Sequence, residues 1–190
     1  MINILVDGVI AIILTVLIMM SVVLVGRVVS KFDIFLIEKM SSVSGKKLAR
    51  FIINRVMIAG VVFHELSHAL FAKLTGARVT KIKFLVLFSK DTLGSVTFTP
   101  VGNKAQQSIQ LCLASCAPVL MAFIAVPLFV ILAVFVDIGF VWRVLFAYLA
   151  ISVLCHASMS SADLNLYKTG ARYVGPMLCL FVFAVIGLFF

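Results

Sequence analysis

Five runs of apolar residues divide this chain. They cover residues 8–26, 51–74, 109–136, 140–156 and 173–190. A helix of about twenty residues crosses the hydrocarbon core of a bilayer, and a run of seventeen or more with few charges is a candidate span. Composition agrees with a lipid setting. The chain is 64% hydrophobic and 12% charged, whereas a soluble domain is roughly half apolar and about a quarter charged. The expected fold is therefore an all-α polytopic membrane protein with about five transmembrane helices and a small β-hairpin between the second and third. No basic segment precedes the first run and no A-x-A site follows it, so it reads as a retained anchor rather than a cleaved signal.

The net charge of +9 does not indicate nucleic acid. Most Lys and Arg lie in the short segments between apolar runs, where anionic headgroups of the lipid bilayer account for them. The two sides of the expected topology carry nearly equal numbers of Lys and Arg, so the positive-inside rule assigns no orientation. Cys112, Cys116, Cys155 and Cys179 fall in or beside apolar runs. They lack the spacing of a disulfide framework or a zinc knuckle, and read as small residues packing between helices.

Two connectors are long. Residues 27–50 mix Phe32, Ile34, Phe35 and Ile37 with Lys31, Lys39, Lys46, Lys47 and Arg50, which predicts a short interfacial helix followed by a Ser/Gly turn. Residues 77–100, ARVTKIKFLVLFSKDTLGSVTFTP, are rich in β-branched and aromatic residues and are interrupted at Lys90–Gly94. They predict two strands, about 78–88 and 95–99. In span three, Pro118 and Pro127 are candidates for a kink. Ser67, Ser115 and Ser160 are candidates for lining a wet cavity or for helix packing.

The chemistry resides in VVFHELSHALFAKLTG, residues 61–76. His64, Glu65 and His68 form H-E-x-x-H, although the whole chain has three histidines. On a helix, residues four apart share a face, so both imidazoles can bind one zinc ion with Glu65 beside it as general base for water. Ionisable residues inside a span are costly and mark function by default. A catalytic zinc takes a third protein ligand. The residues offer two candidates near the end of span four, His156 and Asp163 in CHASMSSADLNLYKTG. Seven positions apart, they would face the same way on one helix. Ser158, Ser160, Ser161 and Asn165 are candidates to hydrogen-bond the aspartate or the substrate backbone.

This pattern resembles the site-2 protease family of intramembrane zinc metalloproteases, the M50 peptidases. HELSH in span two, the strand-like connector, the small-residue and proline segment CAPVLMAFIAVP in span three, and an aspartate after span four follow that family's order. The resemblance covers about Val61 to Gly170. It implies one Zn2+ per chain held by His64, His68 and Asp163, with Glu65 catalytic; on the residues alone His156 stays the alternative ligand or an outer-sphere partner. It also implies a substrate that is a membrane protein or membrane-tethered peptide. The family's aspartate is followed by glycine and preceded by a proline-rich stretch; here Asp163 has neither neighbour.

The hairpin would offer a strand edge to an unwound substrate, with Leu85, Val86 and Asn165 as candidate substrate-binding residues. Residues 1–190 are expected to form a single membrane-embedded metalloprotease domain, with its catalytic core at about 51–170. It is a minimal form without PDZ or CBS insertion, open to an accessory membrane partner and at home in a bacterial or archaeal cell membrane. The alternative from another class is a non-proteolytic zinc-binding or transport protein. Clustering of His and Glu at one depth favours a single fixed site over a path.

Overall fold

A computed structural model provides the structure, which describes residues 2–84 and 94–189. In chain order, α1 spans Ile2–Ser44 and α2 Lys46–Phe51. A π-helical turn at Ile52–Val56 leads into α3, Ile58–Leu74. Strands β1 (Arg78–Lys83) and β2 (Ser95–Thr99) precede α4 (Lys104–Val134), α5 (Phe140–Leu154) and α6 (Ser161–Phe189).

The described residues are mostly helical. Among them, α1, α4 and α6 are long and apolar enough to cross a membrane, and α5 is a shorter apolar helix. Their outer faces are greasy: Leu5 is 69% exposed, Ile124 67%, Phe140 81% and Leu180 71%. Contiguous apolar exposure on this scale is untenable in water and normal against acyl chains. The interior is built instead from small residues. Ala122, Ala125, Val153 and Ala157 form one cluster, Ala72, Ala77 and Ala114 another, and Cys112, Cys116 and Tyr167 a third. Small side chains let helices approach closely, which substitutes for the hydrophobic drive that lipid removes.

Three boundaries differ from expectation. The connector at 27–50 is not a separate interfacial helix, because α1 runs through to Ser44. No glycine or proline stands between Gly26 and Gly45, so nothing there breaks the helix. The break comes at Gly45, whose φ of 82° suits glycine. At 43 residues, α1 is about 64 Å long, roughly twice what one crossing requires. The last helix starts at Ser161 rather than near 173, so Asp163 lies in its first turn. Finally, α5 ends at Leu154 and residues 155–160 are non-helical. His156 and Asp163 therefore do not share a helix.

The hairpin is antiparallel, pairing Arg78 with Thr99, Ile82 with Val96 and Lys83 with Ser95, with a bulge between Val79 and Lys81. β1 ends at Lys83 and Phe84 is a bend, so the expected strand stops short there; residues 85–88 of it lie outside the described residues. The chain turns from α3 into the sheet at Gly76. Gly76 N–H donates to Lys73 O at 3.1 Å, and Ala77 N–H to Ala72 O at 2.8 Å. This helix-ending pattern needs a left-handed residue, and Gly76 has φ 89°. The turn lays the sheet back over α3, where Val79 and Phe98 pack against Ala72, Ala77 and Ala114.

Candidate metal centre

His64 and His68 project from one face of α3, as a spacing of four requires. Their rings meet edge to face at 4.7 Å between centroids, and their Nε2 atoms are 3.1 Å apart. The opposite nitrogen of each ring is tied to main chain. His64 Nδ1 lies 2.7 Å from His156 O, and His68 Nδ1 lies 2.7 Å from Ala114 O. A carbonyl only accepts, so each Nδ1 carries the proton and donates it. The Nε2 of each ring then faces the other.

Asp163 completes the cluster from the first turn of α6. Ser160 precedes this helix and donates to Asp163 Oδ2 through its N–H (3.0 Å) and its Oγ–H (2.6 Å), while Asp163 N–H donates back to Ser160 Oγ at 3.1 Å. This is a reciprocal helix cap. It occupies Oδ2 and leaves Oδ1 3.6 Å from His68 Nε2. Ligand atoms of His64, His68 and Asp163 all lie within 4.8 Å of one another.

Two imidazole lone pairs and a carboxylate oxygen converging at these distances repel one another unless a cation lies between them. The donor set suits zinc: two neutral nitrogens and one carboxylate leave one tetrahedral position for water or substrate. Both histidines already have the outer-sphere hydrogen bonds that orient metal-binding imidazoles. The residues fit the ion.

His156, the rival third ligand, stands outside this cluster. Its carbonyl orients His64, and its Nδ1 lies 2.9 Å from Ser152 O. Its ring nonetheless borders the same cavity, of about 560 Å³, with His64, Glu65, His68 and Asp163. Ser158 and Ser160 border it too. Ser67 and Ser115 do not; their hydroxyls donate to Phe63 O and Cys112 O on their own helices. Asn165 is exposed and off the cavity wall. Leu85 and Val86 lie outside the described residues.

Ser30 of α1 and Met159 escaped the sequence reading; the hairpin reaches the wall at Ser95, Val96 and Phe98 of β2 and at Gly94 just before it. Gly94 abuts the buried Glu65. A Cβ at 94 would lie 2.6 Å from Glu65 Cγ and 2.9 Å from Oε1, so only glycine leaves this carboxylate in place. Gly94→Val is therefore expected to lower cleavage at least about tenfold, an effect of about 1.4 kcal/mol on the barrier, with zinc content unchanged. Parallel rate and metal measurements check it; a variant of wild-type rate would show that the carboxylate has room to move.

A family model described as Peptidase M50B-like matches residues 43–99, which hold His64, Glu65, His68 and both strands. Over this segment the chain is similar to the M50B-like peptidases. No curated protein and no solved structure matches it in searches of either kind. M50 peptidases are in general zinc-dependent, and the family points to a membrane metalloprotease, in keeping with the long apolar helices. Asp163 falls beyond the matched M50B-like segment, so its place beside the histidines comes from geometry alone.

Proposed function

We propose that the chain is an intramembrane zinc metalloendopeptidase that cleaves a peptide bond in or near the transmembrane segment of a membrane protein or membrane-tethered peptide. In this reading α3 and α5 are also membrane-embedded, giving about five spans in one domain over 1–190 with its core at 51–170. The host membrane is that of a bacterial or archaeal cell. The supporting observation is the convergence of two carbonyl-anchored imidazoles and Asp163 Oδ1 beside a buried glutamate.

His64, His68 and Asp163 would hold the ion, which when bound would supply Lewis acidity and make water acidic enough to ionise near neutral pH. Glu65 takes a proton from the attacking water. As the C–O bond forms and the C–N bond breaks, Glu65 delivers that proton to the leaving nitrogen. A transmembrane helix hides its carbonyls in i to i−4 bonds, so the substrate must unwind first. Strand β2 borders the cavity through Ser95, Val96 and Phe98, and Gly94 just before it does so too. An unwound segment pairs beside it as an added strand, its amides satisfied by main chain.

The test is metal removal from detergent-purified protein. Synthetic single-span peptides with a fluorophore and quencher at their ends serve as substrates, in nanodiscs. Treatment with a zinc chelator should abolish cleavage, and one equivalent of zinc should restore it. Stoichiometric zinc without cleavage of any peptide, before or after treatment, favours a zinc-binding or transport protein instead.

A further inference from the structure

The cavity needs its strand held at the correct distance from α3, and the β1–β2 pairing alone does not tether the sheet to that helix. To the packing of Val79 and Phe98 on α3, α4 adds a polar tether. Gln110 is 3% exposed in the second turn of this apolar helix. A buried amide is costly unless its polar atoms are satisfied. Here Oε1 accepts from Val101 N–H at 2.8 Å, while Nε2 donates to Val101 O at 3.0 Å and to Thr75 O at 3.1 Å.

Bonding both the N–H and the C=O of one residue is what a neighbouring antiparallel strand does. The Gln110 amide thus acts as a one-residue strand partner for the chain leaving β2. Its remaining N–H reaches Thr75 O at the C-terminal end of α3, whose last carbonyls have no partner within the helix. One side chain therefore joins the metal-binding helix, the exit of β2 and α4.

We infer that Gln110 is a positioning residue: it clamps β2 to α3 and so sets where a bound peptide lies relative to Glu65. The part concerning peptide rests on the proposed function; the clamp does not. Gly94 lies seven residues before Val101, up to about 23 Å along an extended chain. A small pivot at the Val101 end therefore becomes a shift of ångströms at the end that touches Glu65. No metal ligand lies at the clamp, so loosening it should spare zinc.

The test uses full-length, zinc-loaded protein in nanodiscs, with two variants. Gln110→Leu keeps the bulk and removes the polar atoms. Gln110→Asn keeps the amide but is one methylene shorter, which covers the case in which the leucine variant fails to fold. Amide exchange read by mass spectrometry should quicken about tenfold or more across 95–101. Exchange across α3 and zinc stoichiometry should stay at wild-type values. With the quenched single-span peptides, kcat should fall about tenfold with KM within threefold, the pattern of a peptide that still binds but lies off the geometry the general base needs.

Unchanged exchange across 95–101 in both variants would overturn the clamp, and so would loss of zinc or of α3 protection in step with it. Loosened β2 with unaltered KM and kcat would overturn the role in peptide placement. If the wild type cleaves no peptide, the proposed function fails, while the exchange data still decide the clamp.

Discussion

Glu65→Gln is expected to reduce cleavage about a thousandfold, near the middle of the range for loss of a general base and close to 4 kcal/mol on the barrier. It should leave one zinc per chain. Glu65 is 8% exposed and borders the cavity next to His64. Glutamine matches its shape, so the close contact with Gly94 and the packing of α3 survive, but the amide cannot take a proton from water. The check is a paired measurement of cleavage rate on the quenched peptides and of zinc by elemental analysis. Activity within tenfold of wild type would remove Glu65 from the chemistry; zinc loss would make it a structural part of the centre.

The second large effect is on metal. Asp163→Asn should weaken zinc binding by more than about a hundredfold, since even outer-sphere changes cost ten- to a hundredfold. Fold stability should change little. The reason lies in how the two carboxylate oxygens divide their work. Oδ2 caps α6 through Ser160, and Oδ1 faces His68. Asparagine retains one oxygen for the cap and offers N–H2 toward the imidazoles, a donor where a ligand is needed. Competition against a fluorescent zinc chelator gives the affinity, and thermal unfolding of the zinc-free forms gives the stability. Equal zinc affinity in both proteins would exclude Asp163 as ligand. A large drop in stability of the zinc-free variant would assign its carboxylate to capping instead.

How much could be read from residues alone differs across the molecule. His64, Glu65 and His68 are legible because a helix converts a spacing of four into one face, a property of local geometry. The hairpin is legible from β-branched residues ending at a glycine break. The length of α1 is not, because polar residues in 27–44 look interfacial while the backbone has no reason to stop before Gly45. The choice between His156 and Asp163 also turns on the fold. Both carry suitable atoms, but α5 ends at Leu154, so the chain bends, gives His64 a carbonyl from residue 156, and starts a new helix that presents Asp163.

The long apolar helices, the helical class and two of the three clustered side chains follow from residue order, because hydropathy and helical period act over at most a few turns. The approach of Asp163 to the two histidines, the carbonyls of Ala114 and His156 that meet the imidazoles, the closeness of Gly94 to Glu65 and the Gln110–Thr75 bond join positions 29 to 99 apart in the chain. Backbone carbonyls are the same in every residue type, and contacts between distant segments exist only once helices have packed. No local pattern encodes them.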